Sequence, residues 1–190
     1  MGKLTFGKTK RRVNYDLLRD ILIWTVQIVI VCFLAFACVW YLGKRVSVIG
    51  DSMNPELKNG NVTLINKAAY NMGTPKRGDV IAFKPNGNDN SHYYIKRIVG
   101  LPGETIEVQD GRILVNGKTI KEKYKTTSID EVGILSEPYT LGNDEYFVLG
   151  DDRQNSEDSR NADIGPVKRS EIAGKVWFVV TPGSTFGFVK

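Results

Sequence analysis

Residues 93–115 read YYIKRIVGLPGETIEVQDGRILV. Three short runs of β-branched and aromatic residues, Tyr93 to Val99, Thr105 to Val108 and Ile113 to Val115, are separated by Pro-Gly and Asp-Gly, which predicts strands joined by tight turns. Asp110-Gly111 suits a two-residue hairpin needing positive φ at both central positions. Similar runs occur at Val46 to Ile49, Val62 to Ile65, Val80 to Phe83, Tyr146 to Leu149 and Val176 to Val180. Turn residues separate them at Asn59-Gly60, Arg77-Gly78-Asp79, Asn116-Gly117 and Pro182-Gly183. Residues 43–190 are therefore expected to be mostly β, as packed antiparallel sheets. The polar stretch from Lys118 to Asn143 has no clear period and is expected to be a long loop or insertion.

The N-terminal part is of another kind. From Ile21 to Leu42 the chain reads ILIWTVQIVIVCFLAFACVWYL, with no charge and only Thr25 and Gln27 outside the apolar set. At about 1.5 Å per residue this run spans roughly 33 Å, enough for a hydrocarbon core of about 30 Å. It predicts one transmembrane helix over 21–42, with Trp24, Trp40 and Tyr41 as interfacial anchors. A cleaved signal peptide has an apolar core of only about 7 to 15 residues. Ala35-Phe36-Ala37-Cys38 loosely resembles a lipoprotein cleavage box, but apolar residues continue through Leu42. Cys32 and Cys38 do not share a helix face, so both read as small apolar fillers.

The net charge of +5 is unevenly placed. Residues 1–20 hold Lys3, Lys8, Lys10, Arg11, Arg12 and Arg19 against Asp16 and Asp20, while the other 170 residues carry 20 basic and 19 acidic groups. The charge thus marks a cytoplasmic tail by the positive-inside rule, outweighing Lys44 and Arg45 beyond the span. A nucleic-acid-binding domain would carry it on the folded part, so no nucleic acid is expected as a partner. His92 is the single histidine and Cys32 and Cys38 the only cysteines, so no metal or other cofactor is expected.

Three patches have the residue types of reaction chemistry. In VIGDSMNPEL, residues 48–57, Ser52 follows a strand at a turn; taken alone, such a serine more often bonds its own backbone. In YYIKRIVGLPGE, residues 93–104, alternation sets Lys96 between Tyr94 and Ile98. An apolar setting disfavours the ammonium form, although a lysine whose stem covers apolar surface is the commoner case. In GDDRQNSEDSR, residues 150–160, Arg153 and Arg160 lie among carboxylates whose spacing is not that of an EF-hand, so internal ion pairing is expected.

In this order, with RGDVIAF at 77–83, the patches resemble the type I signal peptidase family, and the resemblance spans the whole chain including the apolar helix. It implies a membrane-bound serine endopeptidase, single-pass in the cell membrane with its catalytic domain on the outer face, that removes signal peptides from exported preproteins. It implies Ser52 as nucleophile and Lys96 as general base, with Ser156 bonding the lysine amine and Asp158 and Arg160 forming a supporting salt bridge. Ser52 N–H would stabilise the oxyanion, with Gly50, which stands where some members have serine, or water as second donor. Val48, Met53, Tyr94 and Ile95 would contact substrate. Glu56 and Asp152 depart from the family's usual threonine and asparagine. Ser52 lies ten residues after Leu42, a link of at most about 33–36 Å, so the nucleophile must stay near the membrane surface. A non-catalytic assembly factor of the same fold would not need both Ser52 and Lys96. A self-cleaving repressor-type protease would lack the anchor and carry a DNA-binding unit instead.

Overall fold

The computed structural model describes residues 15–190 except Met72, Asp89 and Ser184; within the first helix the side chains of Cys38, Tyr41 and Leu42 are also undescribed. The basic cluster Lys3, Lys8, Lys10, Arg11 and Arg12 lies outside the described residues. Two compact units divide after Cys38.

Helix α1, Tyr15–Leu42, takes in the apolar run and the six residues before it. Nothing in Tyr15 to Asp20 breaks a helix, and Asp16 in the first turn favours its positive end. Its Tyr15–Ala37 segment is long and apolar enough to cross a membrane. Thr25, a polar residue in that run, donates its hydroxyl to the Ile21 carbonyl at 2.7 Å, leaving no polar hydrogen unpaired in an apolar setting. Leu22, Trp24, Val29 and Phe33 are exposed, as a lipid-facing helix requires.

The second unit is built from twelve strands: β1 (Lys44–Ser47), β2 (Val62–Asn66), β3 (Val80–Phe83), β4 (Tyr94–Gly100), β5 (Thr105–Gln109), β6 (Arg112–Val115), β7 (Lys118–Thr119), β8 (Tyr139–Thr140), β9 (Glu145–Leu149), β10 (Val167–Lys168), β11 (Ile172–Val179) and β12 (Gly187–Phe188). One sheet has the order β1-β2-β11-β3-β4-β9-β10, with β12 on β11; the other has the order β7-β6-β5-β8. Every pairing is antiparallel. The mostly β expectation holds.

The β5–β6 hairpin turns on Asp110 (φ 50°) and Gly111 (φ 70°), the backbone that Asp-Gly favours. Asn116 (φ 50°) and Gly117 (φ 72°) repeat the device between β6 and β7. The stretch from Lys118 to Asn143 is thus not a plain loop. It supplies both edge strands of the second sheet, and Ile129, Leu135 and Leu141 enter its core beside Ile106, Phe147 and Leu149. Those three anchors are six residues apart, too sparse to produce a visible period.

The large sheet is buried on both faces where it passes the centre. On β3, Val80 and Ala82 join one cluster with Met53, Ile95 and Val176, while Ile81 and Phe83 join another with Ile98 and Val148. Gly100 ends β4 where any Cβ would stand 2.7 Å from Leu141 and 2.8 Å from Ile106, so the two sheets approach there only because the residue has no side chain. This packing fixes β4, and with it Lys96.

Candidate active site

Lys96 is central on β4, hydrogen-bonded through β3 on one side and neighbouring the β9 ladder on the other, and is only 4% exposed. Ser52 follows β1 after a turn in which Gly50 takes φ 80°, a backbone conformation costly for any residue with a Cβ. The two meet: Lys96 Nζ and Ser52 Oγ are hydrogen-bonded at 2.5 Å. Burial lowers the Lys96 pKa to about 8, against the opposing pull of the Asp158 and Glu157 carboxylates. A lysine held there has an appreciable neutral fraction near neutral pH, which makes its amine available as a proton acceptor.

The loop after β9 holds Ser52. Asp152 N–H donates to the Ser52 carbonyl at 3.0 Å. Gly150 packs so closely on that carbonyl and on Ser156 that a side chain there would collide with both. Asp158 is fully buried; it accepts from Gly150 N–H at 3.1 Å and pairs with Arg160 through two bonds of 2.9 Å. Arg160 also donates to the carbonyls of Arg153 and Glu131, and so staples the loop to its neighbours.

The expected internal pairing of this loop is only partly seen. Asp158–Arg160 is internal, but Arg153 pairs with Glu122, and Asp151 pairs with Arg97 on β4 through two bonds of 2.7 Å. Arg97 is completely buried, donates also to the carbonyls of Gly78 and Lys190, and lies 3.9 Å from the Tyr124 ring centre. Sequence reasoning missed this pair, whose one visible signal is a second cation in a strand too apolar to leave it in water.

A groove of about 480 Å³ runs past Ser52 and Lys96, lined by apolar Val48, Ile49, Tyr94 and Ile95 and by polar Asn155 and Glu157 from the loop after β9. Val48, Tyr94 and Ile95 are thus among its lining residues, and Val48 lies one residue beyond β1. Met53 does not line the groove: it is 1% exposed, and its side chain is a core residue packed with Leu57 and Ile95. Gly50 borders the groove, and its N–H donates to Asn59 Oδ1 at 3.2 Å. Among the described residues no hydrogen bond engages the Ser52 N–H. The Ser156 bond to Lys96 is not made; the amine is directed at Ser52, and Ser156 Oγ is buried without a partner among the described residues. His92 is an exposed residue at the groove's margin.

Comparison with known proteins adds an independent line. The family model described as signal peptidase, peptidase S26, matches residues 21–181. Signal peptidase I P of Bacillus subtilis subsp. natto is 35% identical over 184 residues, covering 93% of this chain and 95% of its own. Signal peptidase I S of Bacillus subtilis (strain 168) is 35% identical over 177 residues, 89% of this chain and 94% of its own. A crystal structure of a signal peptidase I from Enterococcus faecalis V583 is 31% identical in sequence and covers 55% of this chain and 97% of that one, with a TM-score of 0.43.

Proposed function

Because the chain belongs to the peptidase S26 family of signal peptidases, we propose that it is a membrane-bound serine endopeptidase in which Ser52 and Lys96 form the catalytic dyad that removes signal peptides from exported preproteins. The contact of 2.5 Å between Lys96 Nζ and Ser52 Oγ, on a lysine that burial drives towards neutrality, carries this reading. Serine is a weak nucleophile until a neighbouring base takes its proton, and a desolvated amine is such a base.

In the reaction Lys96 accepts the Ser52 hydroxyl proton as Oγ attacks the scissile carbonyl carbon. The negative charge gathers on the carbonyl oxygen, where Ser52 N–H is available to donate. The C–N bond then breaks, and the Lys96 ammonium returns its proton to the departing amine. Water, deprotonated by Lys96, next attacks the carbonyl carbon of the acyl ester; the ester C–O bond breaks, and the Lys96 ammonium returns the proton to Ser52 Oγ, which restores both groups. While Lys96 is charged it needs a new acceptor, and the buried Ser156 hydroxyl can be one. Leaving that hydroxyl unpaired costs about 1–3 kcal/mol, so the bond would be formed when the ammonium exists. Asp158 and Arg160 hold the loop that carries Ser156 and grips Ser52.

The substrate would lie extended along the groove, its small side chains before the scissile bond against Val48, Tyr94 and Ile95, as in strand addition with side-chain pockets. The α1 segment would cross the cell membrane once, with residues 1–20 in the cytoplasm and residues 43–190 on the outer face. Ser52→Ala and Lys96→Met should each abolish processing of a preprotein in detergent while leaving the circular dichroism of the domain unchanged. Normal processing by either variant rules the dyad out.

A further inference from the structure

Of the four carboxylates between residues 151 and 158, three are consumed by the fold. Asp151 pairs with Arg97, Asp158 pairs with Arg160, and Asp152 accepts from Asn155 at 3.0 Å and from Thr127 at 3.2 Å. Glu157 is different: it is exposed, it lines the groove, and it makes no ion pair among the described residues. Among the described lining residues Asp51 is the other carboxylate, and Lys96, buried and bonded to Ser52, is the only lysine or arginine. Lys44 and Lys84 stand against the ring of Tyr93, another lining residue, so the free negative charge of the groove is local to Glu157 and Asp51. Its lining also differs in kind by element, since Val48, Ile49, Tyr94 and Ile95 are apolar, and Asn155 and Glu157, from the loop after β9, are polar.

The residues ahead of the scissile bond in the proposed substrate are small and apolar, and they suit the apolar lining of Val48, Tyr94 and Ile95. The residues after the scissile bond are then left to the polar lining of Asn155 and Glu157. We propose that Glu157 makes this groove select substrates with a basic side chain at the first or second residue after the scissile bond. The selection rests on the reading of Ser52 and Lys96 as the dyad, and it works as charge complementarity at an interface does, by discriminating partners more than by adding affinity.

The test uses the full chain in detergent with peptides carrying Lys, Gln or Glu at the first or second position after the cleavage site. The readout is the Lys-to-Glu ratio of kcat/KM, taken for one enzyme at one pH so that altered ionisation of Lys96 or altered active fraction cancels. At low salt the ratio should be about two- to fivefold, the range of one exposed ion pair, and should shrink at 0.5 M salt, where screening acts over about 4 Å. Glu157→Gln should bring the ratio towards one, and Glu157→Lys should invert it. A ratio unchanged in both variants overturns the proposal, as does a preference that appears only for charges placed before the scissile bond. Undiminished cleavage by Ser52→Ala would instead remove the dyad reading and this selection with it.

Discussion

The ionisation of Lys96 should be directly visible in the enzyme's pH dependence. A lysine at the ordinary value of 10.5 would be neutral in about three molecules per ten thousand at pH 7, whereas at about 8 the neutral fraction is roughly one in ten. Burial thus supplies on the order of a 300-fold gain in usable base, and kcat/KM should rise about tenfold between pH 7 and pH 9 and level off above it. The carboxylate opposing burial most strongly is Asp158. Asp158→Asn removes that pull and also leaves the neighbouring Arg160 cation uncompensated; both changes lower the Lys96 pKa, so the rising limb should move to lower pH. The assay is initial-rate cleavage of a fluorogenic signal-peptide substrate from pH 6 to 10.5, run well below the melting temperature because Asp158 is buried. A limb near pH 6.5 that disappears in His92→Gln would assign the base to histidine. A limb that stays near 10.5, or that Asp158→Asn moves upward, would refute the electrostatic argument itself.

The same desolvation should cost stability. The folded pKa of Lys96 lies below the unfolded value, so between about pH 8 and 10.5 the unfolded chain binds more protons and stability rises with pH, while below 8 the full penalty is present. Lys96→Met should then unfold at higher urea concentration than the wild type at pH 7, by on the order of 3 kcal/mol, with the difference vanishing above pH 10.5; equal midpoints at both pH values would contradict it. Asp151→Ala leaves the Arg97 charge buried and unpaired, and should cost about 3–5 kcal/mol in urea denaturation. Replacing the pair together, as Arg97→Met with Asp151→Leu, should recover most of that loss. Gly150→Ala forces a methyl group against Ser156 and the Ser52 carbonyl. Overpacking of this kind costs about 1–3 kcal/mol, and cleavage should fall more than stability does, a comparison made by measuring kcat beside the melting temperature.

Much of this arrangement was legible before any coordinates, and the physical reasons for the rest are specific. Strands with strong β-branched runs and two-residue turns were readable because their signals are local: Asp110-Gly111 fixes a backbone conformation whatever surrounds it. β8 and β10 are two residues each and are held by partners far along the chain, so no periodicity of their own announces them. Ser52 and Lys96 were identified through the spacing of motifs in a resemblance, and the structure then brings them within hydrogen-bonding distance. The burial of Met53 and the bond from Gly50 N–H to Asn59 were not legible, because adjacency to Ser52 says nothing of which way a turn residue points and Asn59 reaches Gly50 from nine residues away.

The neighbouring cations of β4 show why one part of the site could be read from sequence and another could not. Both Lys96 and Arg97 are buried, on opposite sides of one strand, and burial disfavours both charges. An amine can answer by giving up its proton, which turns the penalty into chemistry. A guanidinium cannot, so it must be paired, and Arg97 finds Asp151, two carbonyls and the face of Tyr124. The lysine's fate depends on its own strand and was foreseeable from apolar neighbours at alternate positions. The arginine's depends on the loop after β9 and on the 120s segment, which only the fold assembles. Because Asp151 immediately precedes Asp152, whose N–H holds the Ser52 carbonyl, the charge that cannot be lost fixes the loop that positions Ser52 beside the charge that can.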